Sequence, residues 1–174
     1  MSQAGTSQGS SGADRAVAGA VVRFAAYFVA MFAAIVLVAA LGGMAALQSG
    51  LAQLVARLSS VTGVWAVAVG PLVLLSNRTL AIDLACTAIY IPAMYSALVL
   101  AYPVSLRTRL LGVAVGVPLI MAANVARLLA TAHLAQAMPG AFDFVHGYLF
   151  QVGMILITVA LWLGWTAYAR HHAR

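Results

Sequence analysis

The chain has 174 residues, of which 64% are hydrophobic and 7% charged, with a mean hydropathy of +1.04. Soluble domains carry roughly a quarter charged residues, so a water-soluble protein is excluded and an integral membrane protein remains. The net charge is +6 and every basic residue is arginine. The arginines are scattered singly with no interleaved aromatics, which argues against nucleic acid and makes them markers of topology instead.

Residues 1–14 are largely Ser, Gly, Gln, Ala and Thr, with little to bury. They predict a disordered cytoplasmic tail, extending to about residue 20, ahead of one transmembrane domain over 21–170. The apolar stretch that follows is too long for a signal peptide. Phe24 to Leu47 is apolar throughout and preceded by Arg15 and Arg23. At ~1.5 Å per residue it exceeds a hydrocarbon core of ~30 Å, so it predicts a first transmembrane helix. Gln48 to Ser60 places Leu51, Leu54, Val55 and Leu58 at helical spacing, which predicts an amphipathic helix on the membrane surface.

Val61 to Ser76 lacks charge and could span. Its valines, Gly63, Gly70 and Pro71, and the turn-like Asn77-Arg78 pair favour a strand instead. Behind it, Leu80, Ile82, Leu84 and Cys86 alternate with Thr79, Ala81, Asp83 and Ala85. The expected result is a β-hairpin over the outer face. Thr87 to Tyr102 carries no charge and predicts a second span, kinked at Pro92. After a tight loop with Arg107 and Arg109, Leu110 to Met138 predicts the third span, ended by Pro139-Gly140. Gly147 to Tyr168 predicts the fourth. The fold class is thus all-α integral membrane: a four-transmembrane-helix bundle with a short amphipathic helix and a β-hairpin on the extracytoplasmic face.

Four spans put Arg15, Arg23, Arg107, Arg109, Arg170 and Arg174 on one side, and Arg57, Arg78, Asp83 and Asp143 on the other. The positive-inside rule then places both termini in the cytoplasm. Were 61–76 to span, Arg107, Arg109, Arg170 and Arg174 would all lie outside.

This topology carries three reactive side chains to one outer level. Cys86, the only cysteine, stands at the start of the second span, and His146 at the start of the fourth, beside Gly147, which would allow close approach. Arg127 lies about 27 Å along the third helix from Arg109, taking ~1.5 Å per residue. Each has a plainer reading. A lone cysteine is a small buried hydrophobe, an arginine here can snorkel to headgroups, and an interfacial histidine can bond a loop carbonyl. Against these, a helix start and a nearby arginine favour a thiolate, and an arginine in a membrane helix demands a partner or a wet cavity. Asn124, one turn before Arg127, is placed to orient the guanidinium. His133 should face elsewhere on the helix, and His171 and His172 belong to a solvated tail. Asp83 reads as structural, paired with Arg78 or orienting the histidine.

A thiol, an imidazole and a guanidinium suit peptide-bond chemistry: Cys86 as nucleophile, His146 as general acid and base, Arg127 stabilising the oxyanion. One Cys and one His fall short of a metal site, and no cofactor is expected. The single cysteine excludes a CxxC redox pair. There is no Gly-x-Ser-x-Gly, no HExxH and no intramembrane aspartate pair. The alternative is a non-enzymatic transporter or assembly subunit in which Cys86 is packing and Arg127 pairs with a partner's carboxylate. Helix one has no acidic residue, which argues against a small multidrug-type pump.

Cys86-Thr87-Ala88, then Asn124-Val125-Ala126-Arg127, then Phe144-Val145-His146, in that order, resembles the exosortase/archaeosortase family. The likeness covers about Asn77 to Tyr168, and the compact length looks like the exosortase H branch, whose substrates carry an IPTLxxWG-type C-terminal signal. The resemblance implies a multi-pass cysteine protease or transpeptidase of the bacterial inner membrane with an extracytoplasmic site. Its implied partners are exported proteins bearing a motif, a hydrophobic helix and a basic tail, with the lipid bilayer around them. Many members have Cys-Ser-Gly where this chain has Cys-Thr-Ala. Alanine lacks glycine's backbone freedom, so a loop-like turn after the cysteine is less favoured here.

Overall fold

A computed structural model describes residues 7–172. Residues 1–6 of the expected tail and 173–174, and the side chains of 7–14, Ala16, Asp143 and His172, lie outside the described residues. The elements in order are α1 (Ser7–Ala40), α2 (Ala45–Val61), β1 (Ala66–Val69), β2 (Leu72–Leu75), β3 (Thr79–Ala81), α3 (Tyr90–Ala101), α4 (Leu106–Ala137), α5 (Phe142–Phe144) and α6 (Phe150–His172). A π-helical turn, Val145–Leu149, joins α5 to α6.

Helix α1 already runs through 7–20, where a tail was expected, and it ends seven residues before Leu47. The stop is chemical. Gly42 takes φ +76, its N–H reaches the Ala39 carbonyl, and the Gly43 N–H reaches Val38, which is the left-handed glycine cap that satisfies orphan helix carbonyls. Helix α2 forms where amphipathicity placed it, but its buried face is Leu51, Ala52, Val55, Ala56 and Ser59. Leu54 is 42% exposed. Small residues face inward because α2 packs directly on β1, β2 and α4.

The expected hairpin is a three-stranded antiparallel meander, ordered β1-β2-β3. The long first strand is divided at Gly70-Pro71. Gly70 holds φ +58, the conformation wanted at the first centre of a two-residue hairpin turn, and Pro71 has no N–H to lose. Ala66 pairs with Leu75, and Leu72 with Ala81. Asn77-Arg78 turns the chain as expected, and Asn77 Nδ2 donates to the Ala135 carbonyl at 2.8 Å, pinning the sheet to the far end of α4.

Three helical segments are long and apolar enough to cross a membrane: Val17–Ala40, Leu106–Ala137 and Val145–His171. The expected second span is shorter. Helix α3 covers twelve residues, about 18 Å at ~1.5 Å per residue, because Leu84 to Ile89 is spent on a turn. It packs between α1 and α4. Tyr95, 1% exposed, donates its hydroxyl to the Gly112 carbonyl at 3.2 Å. Gly116 leaves the space its ring fills, and Gly112 the space for the Trp165 indole. That indole donates to the Thr108 carbonyl at 3.2 Å, and Arg23 donates to the Ala101 carbonyl at 3.2 Å. Arg23, Arg109 and Trp165 thus gather at one end of the bundle, and the sheet with Arg78 and Asp83 at the other.

A side chain at Gly116 would meet the immobile Tyr95 ring, whereas one at Gly164 meets nothing. Gly116→Val is therefore expected to destabilise the bundle by about 2 kcal/mol through overpacking, with Gly164→Ala near neutral. Thermal unfolding in detergent micelles compares the two.

Candidate active site

Between β3 and α3 the chain must leave a strand and enter a helix among apolar neighbours, so its main-chain groups need partners. Each is provided. Asp83 Oδ1 accepts the Cys86 N–H at 2.8 Å, and the Asp83 carbonyl accepts the Thr87 N–H at 3.2 Å. Thr87, fully buried, donates its hydroxyl to the Leu84 carbonyl at 2.7 Å. Asn124 Nδ2, on α4, donates to the carbonyls of Cys86 at 3.0 Å and Thr87 at 3.3 Å. The turn disfavoured by the missing glycine forms nonetheless, because Ala88 takes φ +53, the only described non-glycine residue with positive φ. Left-handed geometry costs an L-residue about 1–2 kcal/mol.

Cys86 stands four residues before Tyr90, the first residue of α3, so it belongs to the turn and not to the helix start that was expected. Its Sγ lies 3.7 Å from the Ala81 carbonyl. It shares a cavity of about 210 Å³ with Val55, Leu80, Ile82, Leu128, Thr131, Phe142 and His146. Cys86 and His146, sixty positions apart in sequence, therefore meet across one small space. The His146 ring stacks on Phe142 at 5.3 Å between centroids and 14° between planes, and its Nδ1 is 3.4 Å from the Thr131 hydroxyl. That hydroxyl is also 2.9 Å from the Arg127 carbonyl. The Arg78 guanidinium lies 4.0 Å over the same Phe142, in place of the pairing expected with Asp83. Gly147 borders open space and makes no close approach.

Arg127 does not wall the cavity. It sits next to Leu128, which does, and one turn from Asn124. Its Nε and Asn124 Oδ1 are buried without a hydrogen-bond partner among the described residues. Its charge is close enough to act on the Cys86 thiol. His133 bonds the Leu129 carbonyl on its own helix and stays away from the cavity, as its offset predicted. His171 lies at the opposite end of α6.

The transmembrane exosortase family model matches residues 13–166. The chain belongs to that family. No curated protein and no solved structure matches it.

In this exosortase the cysteine's electrostatics depart from expectation. Burial pushes the Cys86 thiol above its ordinary pKa, and the Asp83 carboxylate, by hydrogen bond and by charge, pushes it further. Arg127 acts in the expected direction but is outweighed. Both effects disfavour a preformed thiolate. Thr131 and Phe142 were absent from the sequence-derived site, and Asp83 was read there as structural or orienting the histidine, not as the cap on Cys86. Thr131 had a signal: Asn124, Arg127 and Thr131 recur at i, i+3 and i+7 on an otherwise apolar helix. So had Asp83, three residues ahead of the N–H it caps. Phe142 had none, since an aromatic among apolar residues looks like core.

Two outcomes follow from this geometry. Ala88→Gly removes the left-handed penalty at some cost in chain entropy, so stability should rise by up to about 1 kcal/mol, read by thermal unfolding in detergent. Maleimide alkylation of Cys86 should be slow at neutral pH and climb only above the range of a free cysteine. Asp83→Asn, which keeps the oxygen that caps Cys86, should move that profile to lower pH, and Arg127→Met to higher pH. Coincident profiles for all three proteins would refute the assignment.

Proposed function

We propose that the protein is a membrane-embedded cysteine transpeptidase or protease acting on the C-terminal sorting signals of exported proteins. The observation that carries the reading is the meeting of Cys86 and His146 in one cavity, with the Arg127 charge beside it. Membership of the exosortase family supports the same chemistry.

Since Cys86 starts as a thiol, His146 takes its proton while Sγ attacks the peptide carbonyl carbon. The oxyanion that forms is favoured by the positive charge of Arg127, acting from beside the cavity rather than from its wall. The imidazolium then protonates the departing amine as the C–N bond breaks, leaving a thioester on Cys86. Water or an acceptor amine attacks that thioester and the thiol is restored. Asn124 holds the Cys86 turn against α4 and so positions the nucleophile. Phe142 and Thr131 hold the ring that moves the proton.

In this reading the protein lies in the bacterial inner membrane with both termini cytoplasmic and the cavity on the extracytoplasmic side. Four spans are counted, the second being Thr87 to Tyr102 around α3, with Cys86 just outside it. The segregation of Arg23 and Arg109 from the sheet supports that orientation. Substrates carry a cleavage motif, a hydrophobic helix and a basic tail, the motif being of the IPTLxxWG type that the exosortase H likeness implies.

The test is processing of a tagged exported protein bearing such a signal. Cys86→Ala should abolish it, and His146→Ala and Arg127→Ala should each slow it by about 10²–10³-fold with the protein still inserted. Full processing by Cys86→Ala would sink the reading. A membrane-impermeant maleimide that fails to reach Cys86 in intact cells, yet labels it in inverted vesicles, would reverse the orientation.

A further inference from the structure

Strand β3 is the edge of the meander, and its unpaired side opens on the cavity. The hydrogen-bond parity shows this. Ile82 N donates to the Pro71 carbonyl at 2.8 Å and Leu75 N to the Arg78 carbonyl at 2.9 Å, so residues 78, 80 and 82 turn their main-chain groups toward β2. In an antiparallel ladder the intervening residues turn theirs the other way. The N–H and C=O of Thr79 and Ala81 therefore project from the free edge. Among the described residues their one partner is the Cys86 thiol, at the Ala81 carbonyl. Thr79, Leu80, Ala81 and Ile82 all line the cavity that holds Cys86 and His146.

Exposed strand edges are templates for another strand, and proteins ordinarily blunt or cover them. This one is neither covered nor loose. Asn77 ties its start to α4, Arg78 rests on Phe142, and the Asp83 cap on the Cys86 N–H fixes the chain just past its end. The cavity beside it, about 210 Å³, is smaller than pockets for drug-sized ligands, which run roughly 300–1,000 Å³. It suits one side chain, and the walls Val55, Leu80, Ile82, Leu128 and Phe142 make that side chain apolar.

We infer that β3 recognises its substrate by strand addition: an extended peptide pairs with the outward main-chain groups of Thr79 and Ala81, inserts one apolar side chain into the cavity, and lays a peptide carbonyl beside Cys86. This deepens the transpeptidase reading and rests on it. Recognition of this kind draws affinity from the main chain and takes specificity from alternate side chains. It also explains why a protein that is otherwise helical carries a small sheet at this end.

The test uses the full-length protein in detergent and an acetylated, amidated heptapeptide of alternating Leu and Thr. Protection of Cys86 from maleimide is the readout, which requires no turnover. The parent peptide should slow alkylation. N-methylation at alternate amides should weaken protection roughly tenfold at one parity and leave it unchanged at the other, because only every second N–H faces β3. Ala81→Pro removes the outward N–H, at an edge position that tolerates proline, and should weaken protection by a similar factor while free Cys86 still reacts. Loss of protection that ignores parity, or no protection by the parent peptide, overturns strand addition. If processing in cells still depends on Cys86 in that event, the transpeptidase reading stands without it. Processing that survives Cys86→Ala removes both.

Discussion

One buried amide does most to hold this site in shape. Asn124 is completely buried on α4, and its Nδ2 reaches two consecutive carbonyls of the turn that carries the nucleophile candidate. A carbonyl left unpaired in apolar surroundings costs roughly 1–3 kcal/mol, so the turn would not keep its form without this partner. Through that contact α4 sets where β3 ends, where the Cys86 sulfur sits and where α3 begins. The left-handed Ala88 is tolerated because the surrounding bonds overdetermine the chain there.

The site's charge balance follows from partial burial beside a carboxylate. Asn124 is fully buried and Cys86 only half so; that half-burial disfavours a thiolate, and the Asp83 carboxylate that caps the turn adds to the effect. An arginine close by does not reverse it. A thiol so disfavoured from ionising gains from a base nearby. The imidazole of His146, held by a ring stack and a threonine hydroxyl, lines the same cavity. The π-helical turn that carries it widens the start of α6, a distortion often found at functional sites.

The two ends of the bundle are built on different physics. At the end holding Arg23 and Arg109, glycines on α4 admit Tyr95 and Trp165, and close aromatic contact with main-chain hydrogen bonds locks α3, α4 and α6 together. At the other end a sheet, α2 and the last turns of α4 form a separate apolar core around Val55, Val73, Leu128 and Phe142. The cavity opens at the border of that second core. α1 packs mainly on α3 and exposes most of its surface, which is what a helix facing hydrocarbon requires.

Some of this was legible along the chain because it depends on composition and period alone. Apolar length marked the membrane helices, amphipathic spacing marked α2, and turn residues at Asn77-Arg78 marked the entry to β3. The family could also be recognised from the order of Cys86, Arg127 and His146 among apolar runs. Tertiary packing decided the rest. Whether Gly70-Pro71 breaks a strand depends on what β2 pairs with, and whether Thr87 begins a helix depends on a carbonyl acceptor sought by Asn124 from another helix. The raised thiol pKa, the Phe142 stack and the open edge of β3 arise only when distant segments come together, where partial desolvation and partner supply outweigh local preference.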